Sequence, residues 1–115
     1  MTRILLIVKD RTLLELIQIV VTTICGHSLE AAADGIEAIE KCRTKDFDLV
    51  IMDLKMNGKN GDGLIEKIRY LVGAPTPFIG LASEPRHFGV SECEHVIHKP
   101  FSITELHDAI SACVT

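Results

Sequence analysis

The sequence predicts an α/β fold, a three-layer sandwich around a parallel sheet. Two observations predict it. Strand and helix signals alternate five times along the 115 residues. The strand segments are continuous apolar runs, as in strands buried on both faces, which is the usual state of a parallel sheet. The clearest run is Phe47-Asp-Leu-Val-Ile-Met-Asp53. It closes on a carboxylate, which puts an ionisable group at the carboxyl rim of the sheet, where open α/β folds build their sites.

Ile4-Leu-Leu-Ile-Val8 reads as the first buried strand and leads straight into Lys9 and Asp10. Thr12 and Glu15 have capping-box spacing and open a helix running to about Cys25, where Gly26 stops it. Leu29 to Ala33 is a weak second strand. Asp34-Gly35 is a turn, and Ile36 to Arg43 a helix with Ile36, Ile39 and Cys42 inward. Asp48 to Met52 is the third strand. Asn57-Gly-Lys-Asn-Gly-Asp-Gly63 is a turn-rich loop of the kind that carries sites. Leu64 to Leu71 is a helix burying Leu64, Ile65, Ile68 and Leu71. Pro75 and Pro77 lead into a fourth strand, Phe78 to Leu81. Residues 84–94 are polar and poorly patterned. His95 to His98 is a short fifth strand, and Ser102 with Glu105 forms a second capping box opening a last helix, with Leu106, Ala109, Ile110 and Cys113 inward. Right-handed crossovers leave few arrangements for this pattern, and the flavodoxin-like three-layer sandwich, a five-stranded parallel sheet in the order 2-1-3-4-5, is the expected one. No linker or repeat divides the chain, so a single domain over residues 1–115 is expected.

Composition narrows the function classes. A hydrophobic fraction of 47% without low-complexity sequence argues for an ordered core. A net charge of −4 offers no basic face to nucleic acid. The apolar runs are too short to span a membrane, the amino terminus lacks the length of a signal peptide, and a cytoplasmic setting is expected. Cys25, Cys42, Cys93 and Cys113 stand singly, as structural thiols do, and give no zinc spacing. His95 and His98 fall on opposite faces of a strand.

In the expected fold the carboxyl ends of strands 1, 3, 4 and 5 converge. They carry Lys9 and Asp10, Asp53, Ala82 and Ser83, and Lys99. Two carboxylates and a lysine thus meet on one rim from distant parts of the chain.

On these residues the chain resembles the receiver domains of two-component response regulators, specifically the chemotaxis-type single-domain form. The matching parts are Ile-Val-Lys-Asp10, Asp-Leu-Val-Ile-Met-Asp53 with Leu-Lys-Met56, Asn60-Gly61, Asp34-Gly35-Ile36-Glu37-Ala38, and Lys99-Pro100-Phe101. The resemblance covers the whole chain. It implies a non-enzymatic phosphoacceptor in a phosphorelay, with Asp53 taking the phosphoryl group of a kinase phosphohistidine and Lys99 contacting a phosphoryl oxygen. It also implies Mg²⁺ held by Asp10, Asp53 and the backbone carbonyl of Lys55, since oxygen ligands suit that ion and anion must meet anion. The implied partners are a histidine kinase or phosphotransfer domain and an unidentified downstream protein, reached by protein contact. Neither nucleic acid nor membrane is expected as a direct partner.

The chain also departs from the family pattern. Lys9 stands where the first of two adjacent acids is usual. One unit-charge interaction at ~6 Å and an effective dielectric of ~20 is roughly 3 kcal/mol, so a two-unit change weakens Mg²⁺ binding strongly unless Lys9 swings outward. Alternatively, its ammonium pairs with Asp53 and partly mimics the cation. Ala82 replaces the usual hydroxyl at the end of strand 4, and Ser83 is expected to face away from Asp53. Val96 replaces a usual aromatic. With both parts of the usual switch altered, a weak switch is expected. Only sixteen residues separate Ala82 from Lys99, so the helix between strands 4 and 5 is expected to be short or distorted. In the first helix, Leu13, Leu16, Ile17, Val20 and Ile24 form the expected core stripe, Leu14 and Val21 its edge, and Ile19 points outward. Two readings follow: a phosphoacceptor receiver, or a phosphorylation-independent pseudo-receiver that serves as a protein-binding module.

Overall fold

The computed structural model describes residues 2–57, 63–84 and 92–114. Five strands, β1 (Arg3–Ile7), β2 (Ser28–Ala32), β3 (Leu49–Asp53), β4 (Phe78–Ala82) and β5 (His95–His98), form one parallel sheet in the order β2-β1-β3-β4-β5. This is the predicted flavodoxin-like arrangement. Among the described residues the α-helices are α1 (Arg11–Ile19), α2 (Gly35–Thr44), α3 (Leu64–Val72) and α4 (Ile103–Val114).

Side-chain alternation divides the core into two layers. Leu5, Ile7, Val50, Met52 and Phe78 pack against Ala38 and Cys42 of α2 and Ile65 and Ile68 of α3. Ile4, Leu6, Leu49, Ile51, Ile79 and Leu81 pack against Ile17 of α1 and Leu106 and Ile110 of α4. Every residue of β3 and β4 is buried, as their unbroken apolar runs require.

Three local expectations are corrected. First, Thr12 does not cap α1: the helix starts at Arg11, and the Asp10 carboxylate accepts the Leu13 N–H at 3.0 Å. Aspartate is among the strongest N-caps, and here it takes the position before the threonine can. Second, α1 runs into a π-helical turn, Val20–Ile24, where the Cys25 N–H donates to the Val20 carbonyl at 2.9 Å. Five-residue spacing retards the rotation of the side-chain stripe. Val20 and Val21 are both fully buried and Cys25 packs on the core, whereas Ile24 is 51% exposed and Leu16 37%. Gly26, at φ +73°, then turns the chain into β2 as only glycine does without strain. Third, Ile36 is 75% exposed, because Asp34 caps α2 in a register that turns Ala38 and Cys42 inward. The second predicted capping box is present: Ser102 Oγ accepts from Glu105 N at 3.0 Å, and Glu105 Oε1 from Ser102 N at 3.2 Å.

A polar clasp closes the amino-terminal edge of the sheet beside β5. The Arg69 guanidinium lies 4.4 Å from the Phe78 ring centroid. It donates to the carbonyls of Ala74 and Thr76, each at 3.2 Å, and of Glu92 at 2.8 Å, and it pairs with Glu94 at 3.1 Å. The Glu94 carboxylate also accepts the Phe78 N–H at 2.7 Å. Residues 58–62, with Asn60-Gly61, and 85–91, where the shortened helix was expected, lie outside the described residues.

Candidate functional site

β3 delivers Asp53 to the carboxyl rim, where its side chain is 9% exposed. A buried carboxylate needs partners, and Asp53 has one for each oxygen. Lys99 Nζ donates to Oδ2 at 2.7 Å, and the Lys55 backbone N–H donates to Oδ1 at 3.1 Å. Lys99 follows β5, and its own N–H is held by the Ala82 carbonyl at 2.8 Å. The Lys99–Pro100 peptide bond is cis.

An open cleft of about 410 Å³ lies over this pair, lined by Lys9, Asp10, Asp53, Lys55, Met56 and Lys99. Five of the residues expected at the site therefore meet. Met56 is the addition; it directly follows Lys55 in the short 3₁₀ turn Leu54–Asn57, which starts where β3 ends. Asp10 is tied to the amino end of α1 through its cap. Lys9 is exposed and forms no ion pair among the described residues, so Lys99 is the lysine that pairs with Asp53.

Ala82, Ser83 and Val96 do not line the cleft. Ala82 is fully buried in the layer beneath α2 and α3, and Val96 packs against the same layer. Asp53 is in register with Leu81. Ser83 itself is exposed, in a bend just past the strand. The thiols are no rival nucleophiles: burial pushes Cys42 and Cys93 up to about 11, with Glu94 adding to the rise at Cys93.

Asp10, Asp53 and the Lys55 carbonyl are the oxygens that would hold Mg²⁺ here, and the lysines among them weaken that site. Both Asp53 oxygens already accept hydrogen bonds, and Asp10 spends one oxygen on the helix cap. Two aspartates and three lysines line one cleft, and that excess of positive residues disfavours a dication. Among the described residues, no group of three or more His, Cys, Asp or Glu side chains could hold a metal ion.

The model of the response regulator receiver domain family matches residues 4–111. The transcriptional regulatory protein DltR of Streptococcus agalactiae serotype III (strain NEM316) is 27% identical over 109 residues, 90% of this chain and 48% of DltR. The autoinducer 2 sensor kinase/phosphatase LuxQ of Vibrio vulnificus (strain YJ016) is 30% identical over 88 residues, 72% of this chain and 10% of LuxQ. The chain thus spans about half the length of DltR and a tenth of LuxQ. Among solved structures, Vibrio cholerae chemotaxis protein CheY4 superposes with a TM-score of 0.84 at 22% identity, covering 99% of both chains. A CheY-like receiver domain protein of Methanospirillum hungatei JF-1 gives 0.84 at 23% identity, covering 97% of this chain and 92% of its own. At these identities the structural likeness shows the fold.

Proposed function

This chain belongs to the response regulator receiver domain family of two-component signalling, and on that premise we propose that it is a phosphoacceptor whose acceptor is Asp53. The observation that carries the reading is the buried Asp53 carboxylate, held at one oxygen by Lys99 and at the other by the Lys55 N–H, beneath an open cleft. A carboxylate oxygen forms the new O–P bond while the P–N bond of a donor phosphohistidine breaks. The imidazole nitrogen keeps that electron pair and later takes a proton from solvent. Little covalent work falls to the protein; positioning and charge neutralisation by Lys99 do most of it. The donor is a histidine kinase or phosphotransfer domain. The exposed Leu16, Ile19 and Ile24 along the first helix and its π turn suit a helical partner beside the acceptor. Output passes to a downstream protein by contact, and the whole of residues 1–115 is taken as one receiver unit.

A second reading, the pseudo-receiver, is favoured by one observation. Position 82 presents a buried methyl group where a hydroxyl would report on the phosphoryl group.

Intact mass after incubation with a small phosphodonor, with Mg²⁺ and separately with EDTA, tests the first reading. One added phosphoryl group, absent in Asp53→Asn, is the expected result. No added mass from either the small donor or the cognate kinase sinks it and leaves the pseudo-receiver.

A further inference from the structure

The charge of the cleft is opposite to what a metal-dependent acceptor needs. Lys9, Lys55 and Lys99 face two carboxylates across about 410 Å³. Of the carboxylates, Asp53 is already compensated by Lys99 at 2.7 Å, and Asp10 accepts the Leu13 N–H at 3.0 Å. Lys9 and Lys55 line the same cleft, and both are exposed. Two lysine ammoniums above a buried ion pair form an anion trap, since each is a compact charge with three donors.

We propose that this cleft is a divalent-cation-independent site for a tetrahedral phosphate-class oxyanion, with the Lys9 ammonium supplying the positive charge that a metal would otherwise bring. The oxyanion is the phosphoryl group of a donor or free inorganic phosphate, which present the same oxygens. The inference deepens the phosphoacceptor reading of the same cleft, yet it needs no bond to Asp53. Binding precedes chemistry and is read separately. Lys9 is the residue that decides it: it lies on the cleft wall, pairs with nothing else described, and reverses the charge at that position.

Inorganic phosphate is titrated into the ¹⁵N-labelled protein in EDTA at constant ionic strength, following the amide resonances of Asp53, Lys55 and Leu13. Saturable shifts confined to the cleft are expected. Lys9→Gln should weaken the apparent affinity at least severalfold, Lys9→Arg should retain it, and Asp53→Asn, which removes a negative charge and the nucleophile together, should tighten it. Lys9→Asp should abolish the phosphate response and gain a saturable response to Mg²⁺ alone. Because Lys9 is exposed, its variants keep the fold, and unchanged amide dispersion verifies this for them and for Asp53→Asn. No cleft response in EDTA overturns the proposal, as does a Lys9→Gln titration that matches the parent. Phosphate saturation without any phosphorylation of Asp53 overturns the phosphoacceptor reading and leaves this one standing. Phosphorylation that requires Mg²⁺, in a cleft blind to phosphate, does the reverse.

Discussion

Gly80 shows how tightly one residue can be specified away from any site. A Cβ built there would lie 2.9 Å from Cys93 Sγ and 3.0 Å from Leu54 Cδ1. Gly80→Ala should therefore cost about 1–3 kcal/mol by overpacking, and Cys93→Ala in the same chain should recover part of it. Urea unfolding of the single and double variants measures both. At the cleft, Lys99→Met leaves the largely buried Asp53 carboxylate without its ion pair, and a loss of about 1–3 kcal/mol is expected in the same assay. The rim residues Asp10, Asp53 and Lys99 were legible in the sequence, because a charged group closing an apolar run stands out. Their local partners were not. That Asp10 caps α1 depends on where the helix starts, and the Thr12–Glu15 spacing pointed two residues too far along. Asp10→Asn, an equally good cap, removes the charge and keeps the helix start, whereas Asp10→Ala mixes the two effects.

At the scale of the elements, the strands were legible to within a residue at each end, most plainly β3 and β4, where burial on both faces leaves almost no polar position. The helical stripe of α1 was legible at Ile17 and Val20, but not at Leu16 ahead of the π turn or at Ile24 within it. A 3.6-residue period predicts Leu16 and Ile24 inside, and nothing in Val20-Val-Thr-Thr-Ile24 announces the wider turn. The outcome separates the two registers cleanly. Val21→Ala should lose about 1–2 kcal/mol, while Ile24→Ala stays within about 0.5 kcal/mol of the parent. Comparable losses at both positions would restore the regular helix. Ile36 fails for a related reason: amphipathic spacing gives the angle between residues but not the absolute orientation of the face, which the Asp34 cap and the close approach of Gly35 to Leu64 fix.

For the molecule as a whole, two carboxyl groups link stability to pH. Glu30 lies below its ordinary value of 4.5 through its hydrogen bonds to Lys45 and Lys41. Burial pushes Glu94 upward, but the Phe78 N–H and the Arg69 guanidinium outweigh it, and its value too is lowered from 4.5. A carboxyl depressed by folding stabilises the fold fully above its unfolded value, and the contribution disappears as pH falls through the folded one. The denaturation midpoint should thus decline from just above pH 4.5 downward, and Glu94→Gln should lower the midpoint at neutral pH and flatten that decline. Topology, too, was legible whole, because crossover handedness leaves few ways to order five parallel strands. The Arg69 clasp was not, since it joins residues up to 25 positions apart that carry no common motif.

That clasp gives the β4–β5 crossover two independent moorings. At one edge of the sheet Arg69 grips Glu92 and Glu94; at the other, Ala82 holds the Lys99 N–H. Strand β5, and Lys99 with it, is thereby tied at both of its ends. Arg69→Met cuts one tie and leaves the other, so the amide resonances of Glu94 and His95 should move while those of Asp53 and Lys99 hold. Displacement of the Lys99 resonance in that variant would show that the far tie, and not the hydrogen bond at the rim, sets the position of the lysine.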